Sequence, residues 1–179
     1  MCIGVGVMMV VAGLSGLLLQ QPLRTFGSWT MDQFGLWGLF FGTMFTDSSP
    51  LPLTNEPLMM LALAAGVSPL TILWVVSTAS VIAGFVGYAC GSMVARHPRL
   101  RAWILSRSPE LAQWMKNRGG LAVAVAALLP IPYSLATWSA GIVHTPLRAV
   151  AVGTLFRIPK TAFYLALIWL GWSAGTIAP

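Results

Sequence analysis

The feature that most constrains this chain is a run of 39 residues, 57 to 95, without a charged side chain. A helix that crosses the hydrocarbon core of a bilayer needs about 20 apolar residues. One crossing does not use up the run, and Gly66-Val-Ser-Pro69 punctuates it. It divides into a short helix over 57–65 and a spanning helix over 70–95. A second run, 119–147, has no formal charge apart from a neutral His144 and is interrupted by Pro130-Ile-Pro132. Charged residues make up only 8% of the chain, against about 25% in soluble domains. Mean hydropathy is +0.81. A water-soluble fold of this size has no core large enough for so much apolar surface. The expectation is an all-α integral membrane protein formed as a single membrane domain over 1–179.

The rest of the chain fits that frame. Residues 1–20 read as a retained N-terminal transmembrane helix, since neither a basic leader nor a small-x-small cleavage site is clear. Arg24 to Asp32 reads as a polar-aromatic connector. Residues 33–46 are apolar but too few to span. They run into Asp47-Ser-Ser-Pro50-Leu-Pro52-Leu-Thr-Asn-Glu56-Pro57, where acids and prolines break any helix. Six of the ten basic residues lie in 96–118, the pattern of a cytoplasmic loop under the positive-inside rule. That loop could also attract anionic headgroups. Within it Ser108-Pro109 is a good helix start, and Leu111, Trp114 and Met115 share a face suited to the membrane surface. A last spanning helix covers 147–172. Cys2 and Cys90 sit in apolar runs without metal-ligand spacing.

The two halves echo each other. Pro50-x-Pro52, Ala65-Gly66, Pro69-Leu70 and Tyr88 recur as Pro130-x-Pro132, Ala140-Gly141, Pro146-Leu147 and Tyr164. Each half is a proline-broken apolar hairpin, over 33–65 or 119–145, then a Gly/Pro turn and a spanning helix. Paired, interrupted apolar segments mark inverted-repeat transporters whose site lies near the midplane. With 96–118 in the cytoplasm, the N-terminus is cytoplasmic too, and the two hairpins are re-entrant from opposite leaflets. Their tips, Pro50, Pro52 and Gly66 in one half and Pro130, Pro132 and Gly141 in the other, then point at each other. Backbone freed at such tips must be buried in protein or line a wet cavity.

Ionisable groups at membrane depth cost a few kcal/mol each, which singles out Asp47, Glu56, Arg157 and Lys160. Arg157 lies about 15 Å into the last helix at 1.5 Å per residue. Gly153, Arg157, Lys160 and Tyr164 fall on one helical face, and Pro159 should kink the helix and free the Leu155 carbonyl. The expected centre is a polar cavity of Asp47, Glu56, Arg157, Lys160, Tyr133 and Tyr164. Its cations would hold a phosphate headgroup, with Glu56 as proton carrier or counter-charge. A structural ion pair that neutralises buried charge competes with that reading. Ser80, Gly84, Gly87 and Gly91 form a small-residue stripe read as close helix packing. Gly13-Leu-Ser15-Gly16 matches the short string of intramembrane serine proteases, but packing explains it better. No phosphate-cradling loop, zinc constellation or aspartyl dyad is present, so neither enzyme activity nor a metal or other cofactor is expected.

From about Phe45 to Gly171 the chain resembles the DedA family, also known as the VTT or SNARE-associated Golgi protein group. The carrying residues are Phe45-x-Asp47-Ser-Ser-Pro50-x-Pro52-x-x-x-Glu56, Gly87-Tyr88-x-x-Gly91, Arg118-Gly119, and Pro130 followed eleven residues on by Gly141. The resemblance implies opposed re-entrant hairpins in a helical bundle and movement of a lipid, either a polyprenyl phosphate or a phospholipid. The family's usual acid and arginine around the Gly-Tyr motif are replaced by Gly84 and Ser92. The two arginines flanking the second-hairpin proline are replaced by Ala127 and Tyr133, and Arg157 and Lys160 could supply the missing cation. Membrane lipids are the expected partners, with a homo-oligomer as a further possibility and no nucleic acid. The expected location is a bacterial inner membrane. A non-transporting scaffold of the same fold and a proton-coupled small-solute transporter are the alternatives.

Overall fold

The computed structural model describes residues 20–49, 54–107, 113–114, 117–128 and 133–177. The predicted first span over 1–19, the Gly13–Gly16 string, the proline tips Pro50, Pro52, Pro130 and Pro132, and the Ser108-Pro109 helix start lie outside them.

Helix α1 runs Gln20–Ser48 and bends at Gly35, whose φ of 54° and ψ of −154° are non-helical. A Cβ there would meet nothing within 4 Å, so backbone conformation alone asks for glycine. The stretch 24–32, expected as a connector, is helical throughout. The hydroxyls of Thr25, Ser28 and Thr30 donate to carbonyls three or four residues back, so these polar residues are satisfied inside the helix.

Helix α2, Glu56–Ala64, has Pro57 in its first turn and ends in a Schellman motif. There Val67 N donates to Ala62 O and Gly66 N to Leu63 O, both at 3.0 Å, with Gly66 at φ 84°. Helix α3, Pro69–Val94, starts on Ser68, whose Oγ accepts from Thr71 N at 3.2 Å. Its 26 residues span about 39 Å at 1.5 Å each, enough to cross a core of about 30 Å. Helix α4, Pro98–Arg107, follows within the basic segment. Helices α5, Gly120–Leu128, and α6, Tyr133–Ile142, precede α7, Leu147–Leu155, and α8, Arg157–Ile177. The last two are one rod interrupted at Phe156, whose N–H bonds back to Gly153 O. Pro159 supplies no N–H to the Leu155 carbonyl, so the break falls where the proline removes a rung.

The chief seam joins α3 to α6. In the first half α1 packs on α3, and in the second α5 packs on α7. One apolar cluster gathers Leu39, Met59, Ile72 and Val76 with Leu165 and Ile168, and an alanine-rich one gathers α5, α6 and Val150.

The distribution of side chains is inverted relative to a soluble protein. Trp37, Phe45, Leu70 and Trp74 are among the most exposed residues, each above 60%. Thr43, Asp47, Ser77, Ser80, Thr137, Thr154, Arg157 and Thr161 are buried. In water such an apolar exterior would be an association surface. In lipid it is the expected exterior, with small and polar residues between the helices.

Candidate functional site

Four helices contribute to the site. Ser80 stands eleven residues into α3, close to its middle, and Arg157 opens α8 just after the Phe156 break. Near the C-terminal end of α1, Asp47 faces inward while Phe45 faces out. The Arg157 guanidinium pairs with Asp47 Oδ2, and both side chains are 6% exposed. Ser80 ties the pair together: its hydroxyl donates to the same carboxylate oxygen and accepts from Arg157 Nε at 2.7 Å. Arg157 Cζ also lies 4.6 Å from the centre of the Tyr133 ring, a cation–π contact. The cation is therefore held by a carboxylate, a hydroxyl and an aromatic face, drawn from α1, α3 and α6.

One turn further along α8, Lys160 Nζ lies 5.7 Å over the Tyr164 ring. Glu56, at the start of α2, is within electrostatic reach of both. Around these groups several polar atoms are buried without a hydrogen-bond partner among the described residues: Thr43 Oγ1, Ser77 Oγ, Tyr133 OH and Glu56 Oε2. Thr43 and Asp47 are one turn apart on α1, and Ser77 and Ser80 one turn apart on α3, so the unpartnered hydroxyls adjoin the ion pair. Buried polar groups are normally satisfied by protein or water. Here a cluster of orphaned polar atoms adjoins the buried pair.

The six residues picked for charge and ring chemistry fall into two neighbouring groups: Asp47, Arg157 and Tyr133, and Lys160, Tyr164 and Glu56. Two assignments need correction. Gly141 is not a turn glycine. It lies inside α6, fully packed, where an added Cβ would collide with Tyr88 O and sit 2.8 Å from Ser92 N. The turn comes three residues later, where His144 takes φ 58° and Thr145 N donates to Ala140 O at 2.9 Å. Ser80, read chiefly as helix packing with a lipid or substrate track as the alternative, is part of the ion-pair cluster. The glycines of its stripe do serve close approach: Gly84 abuts Tyr133 OH and Thr154, Gly87 abuts Thr137, and Gly91 abuts the Trp138 backbone. Trp138 was not singled out from the sequence. Its Nε1 donates to Ser48 O at 2.7 Å and fastens the end of α1, next to Asp47, to α6.

A lipid-facing apolar exterior, two helices long and apolar enough to cross a membrane (69–94 and 147–171), and an ion pair buried between the helices define the class. This is an all-helical membrane protein with a polar centre. A family model for the VTT domain matches residues 51–170. The chain belongs to that family, the DedA family. No curated protein and no solved structure matches it.

Proposed function

We propose that this protein moves a phosphate-bearing lipid, a polyprenyl phosphate or a phospholipid, between the leaflets through the polar centre around Arg157. The observation that carries the reading is the Asp47–Arg157–Ser80 cluster with orphaned hydroxyls beside it. A charge at this depth costs several kcal/mol to bury. An apolar core of equal volume would be as stable, so the retained charge favours a role in function. An anionic headgroup entering the site competes with Asp47 for the guanidinium. Tyr133 OH, Ser77 Oγ and Thr43 Oγ1 then supply donors that now lack partners. Glu56 and Lys160 form the adjoining step, with Glu56 as proton carrier or counter-charge.

The arrangement of the halves supports the same reading. Ser80 and Arg157 each stand eleven residues after the proline of a Pro-Leu pair, Pro69 and Pro146. In a protein built from two inverted copies, residues near the pseudo-two-fold axis meet their own counterparts. On that reading the Arg157–Ser80 bond joins counterparts, and binding at a repeat interface near the midplane is how inverted-repeat transporters work.

A non-transporting scaffold is the second reading, favoured by the pairing of Arg157 with Asp47 and Ser80 inside the protein. Reconstitution separates the two. Liposomes containing the protein and a fluorescent phospholipid or polyprenyl phosphate are quenched from outside, and the protected fraction is followed. Transport predicts loss of protection with wild type and its retention with Arg157→Ala or Glu56→Gln. Full flux in both variants removes the proposed roles, and no flux with wild type leaves the scaffold.

A further inference from the structure

A second polar hollow, remote from the central pair, lies at the far end of α3. Tyr88, Ser92, Ala95 and Arg96 line it from α3 and its C-terminal turn, and His144 lines it from the turn after α6, around a volume of about 390 Å³. Its walls are tied by cross-helix bonds. Tyr88 OH donates to Thr145 O at 2.9 Å, and Ser92 Oγ donates to Tyr88 O at 3.0 Å and reaches Gly141 O at 3.4 Å. The Tyr88 and Ser92 hydroxyl protons are thus spent on backbone carbonyls. Two groups remain for a ligand. Arg96 is exposed and has no acidic partner among the described residues. His144 Nδ1 lies 2.9 Å from Gly141 O. A carbonyl only accepts, so Nδ1 carries the proton and Nε2 is left for the hollow.

Depth and sign fix the ligand class. At about 39 Å, α3 exceeds a core of about 30 Å by several ångströms at each end. Centred on that core, the helix puts its last turn and Arg96 at headgroup level. The segment that follows is the most basic part of the chain. Among the described residues, those around the hollow include a guanidinium and an imidazole but no carboxylate. Cations at helix C-termini do offset the helix dipole, which accounts for Arg96 at the end of α3 and would suit an imidazole after α6. It does not account for both lining one walled hollow. Basic pockets between helices on the cytoplasmic side are where anionic headgroups are held.

We propose that this hollow is a phosphate-binding site for the headgroup of an anionic lipid, separate from the transport centre. Arg96 pairs with the phosphate oxygens. His144 Nε2 donates to them as imidazolium, or accepts from a P–OH when neutral. A free phosphate ion has the same chemistry, so the test separates the two sources.

The purified full-length protein in detergent is titrated with short-chain phosphatidic acid, with short-chain phosphatidylcholine and with inorganic phosphate, and binding is read by native mass spectrometry. Arg96→Ala removes the principal cation. His144→Gly removes the imidazole yet suits the φ of 58°. Arg101→Ala removes an exposed charge on α4 outside the hollow. The expected result is tighter binding of phosphatidic acid than of phosphatidylcholine. Arg96→Ala should weaken it about tenfold, the scale of one hydrogen bond to a charged group, and His144→Gly should weaken it severalfold. Arg101→Ala should bind as wild type. Equal, Arg96-dependent affinity for inorganic phosphate assigns the same site to a soluble anion. The proposal is overturned if wild type binds neither anion, if Arg96→Ala and His144→Gly bind like wild type, or if Arg101→Ala weakens binding as much as Arg96→Ala.

Discussion

The Asp47–Arg157 pair can be tested by removing its members singly and together. At a separation of roughly 3 Å and an effective dielectric near 20, the Coulomb attraction is about 5 kcal/mol. Both groups are nearly inaccessible, so water cannot replace a lost partner. Arg157→Ala leaves Asp47 with one hydroxyl donor, Ser80. Asp47→Ala leaves the guanidinium with Ser80 Oγ and the Tyr133 ring. Breaking a buried pair from one side costs about 3–5 kcal/mol, whereas replacing both members with apolar residues of similar volume is close to neutral. The expected pattern is two strongly destabilised single variants, with Asp47→Leu and Arg157→Met as the cycle's singles, and an Asp47→Leu/Arg157→Met double variant near wild type. Unfolding in detergent, followed by mixed-micelle denaturation and by fluorescence-detected size exclusion after heating, gives the three free-energy differences. If the single and double effects add to within about 0.5 kcal/mol, the two residues do not interact and the polar centre has been misassigned. Recovered stability without lipid movement in the double variant would show that the pair is kept for function.

Other contacts give sharp expectations. Gly141→Leu places a side chain against Tyr88 and Ser92 backbone, which cannot yield; parting α3 from α6 should exceed the usual overpacking cost of about 1–3 kcal/mol, measured by the same unfolding assay. By contrast, Gly66→Ala meets open space and costs only the positive φ, about 1 kcal/mol. Trp138→Phe keeps most of the ring but removes the bond to Ser48 O, so hydrogen exchange should quicken at residues 45–49 and not in α5; unchanged protection would rule out the fastening role. Tyr133→Arg beside a native Arg157 brings two cations together and should destabilise. In an Arg157→Ala background it should restore pairing to Asp47, because the ring lies 4.6 Å from the native guanidinium; a double variant no more stable than Arg157→Ala would sink that idea.

The helices and membrane character were readable because apolar length and missing charge leave few alternatives. The site residues stood out for the same reason, since Asp47, Glu56, Arg157 and Lys160 are conspicuous where charge is scarce. What escaped were roles that depend on helix phase. The halves were matched on Ala65-Gly66 and Ala140-Gly141, yet the two glycines differ. Gly66 is the left-handed residue that closes α2. In the second half the same pair of turn bonds closes on His144, with Thr145 N to Ala140 O and His144 N to Gly141 O. Counting back from the following proline would have exposed the shift, because a Schellman turn sets its positive-φ residue just outside the helix. The connector over 24–32 failed differently: serine and threonine disfavour helix in water, but their hydroxyls here bond to the carbonyls of their own helix.

Ser80 shows where letters alone mislead. In a membrane helix a serine among glycines reads as a small residue that lets helices approach, and the neighbouring glycines do serve that purpose. Its hydroxyl becomes informative only when the opposing residue is known. The signal was present in the repeat: measured from Pro69 and Pro146, Ser80 and Arg157 have the same register. If the halves are related by a two-fold axis in the membrane plane, equal register near the axis implies contact, and a serine facing an arginine at mid-depth is a hydrogen-bonding partner. Matched on Pro50 and Pro130, Asp47 corresponds to Ala127, so the acid has no acidic counterpart and the centre is asymmetric in charge. That asymmetry sets the Asp47 carboxylate against the Arg157 guanidinium, with Glu56 and Lys160 in the neighbouring group.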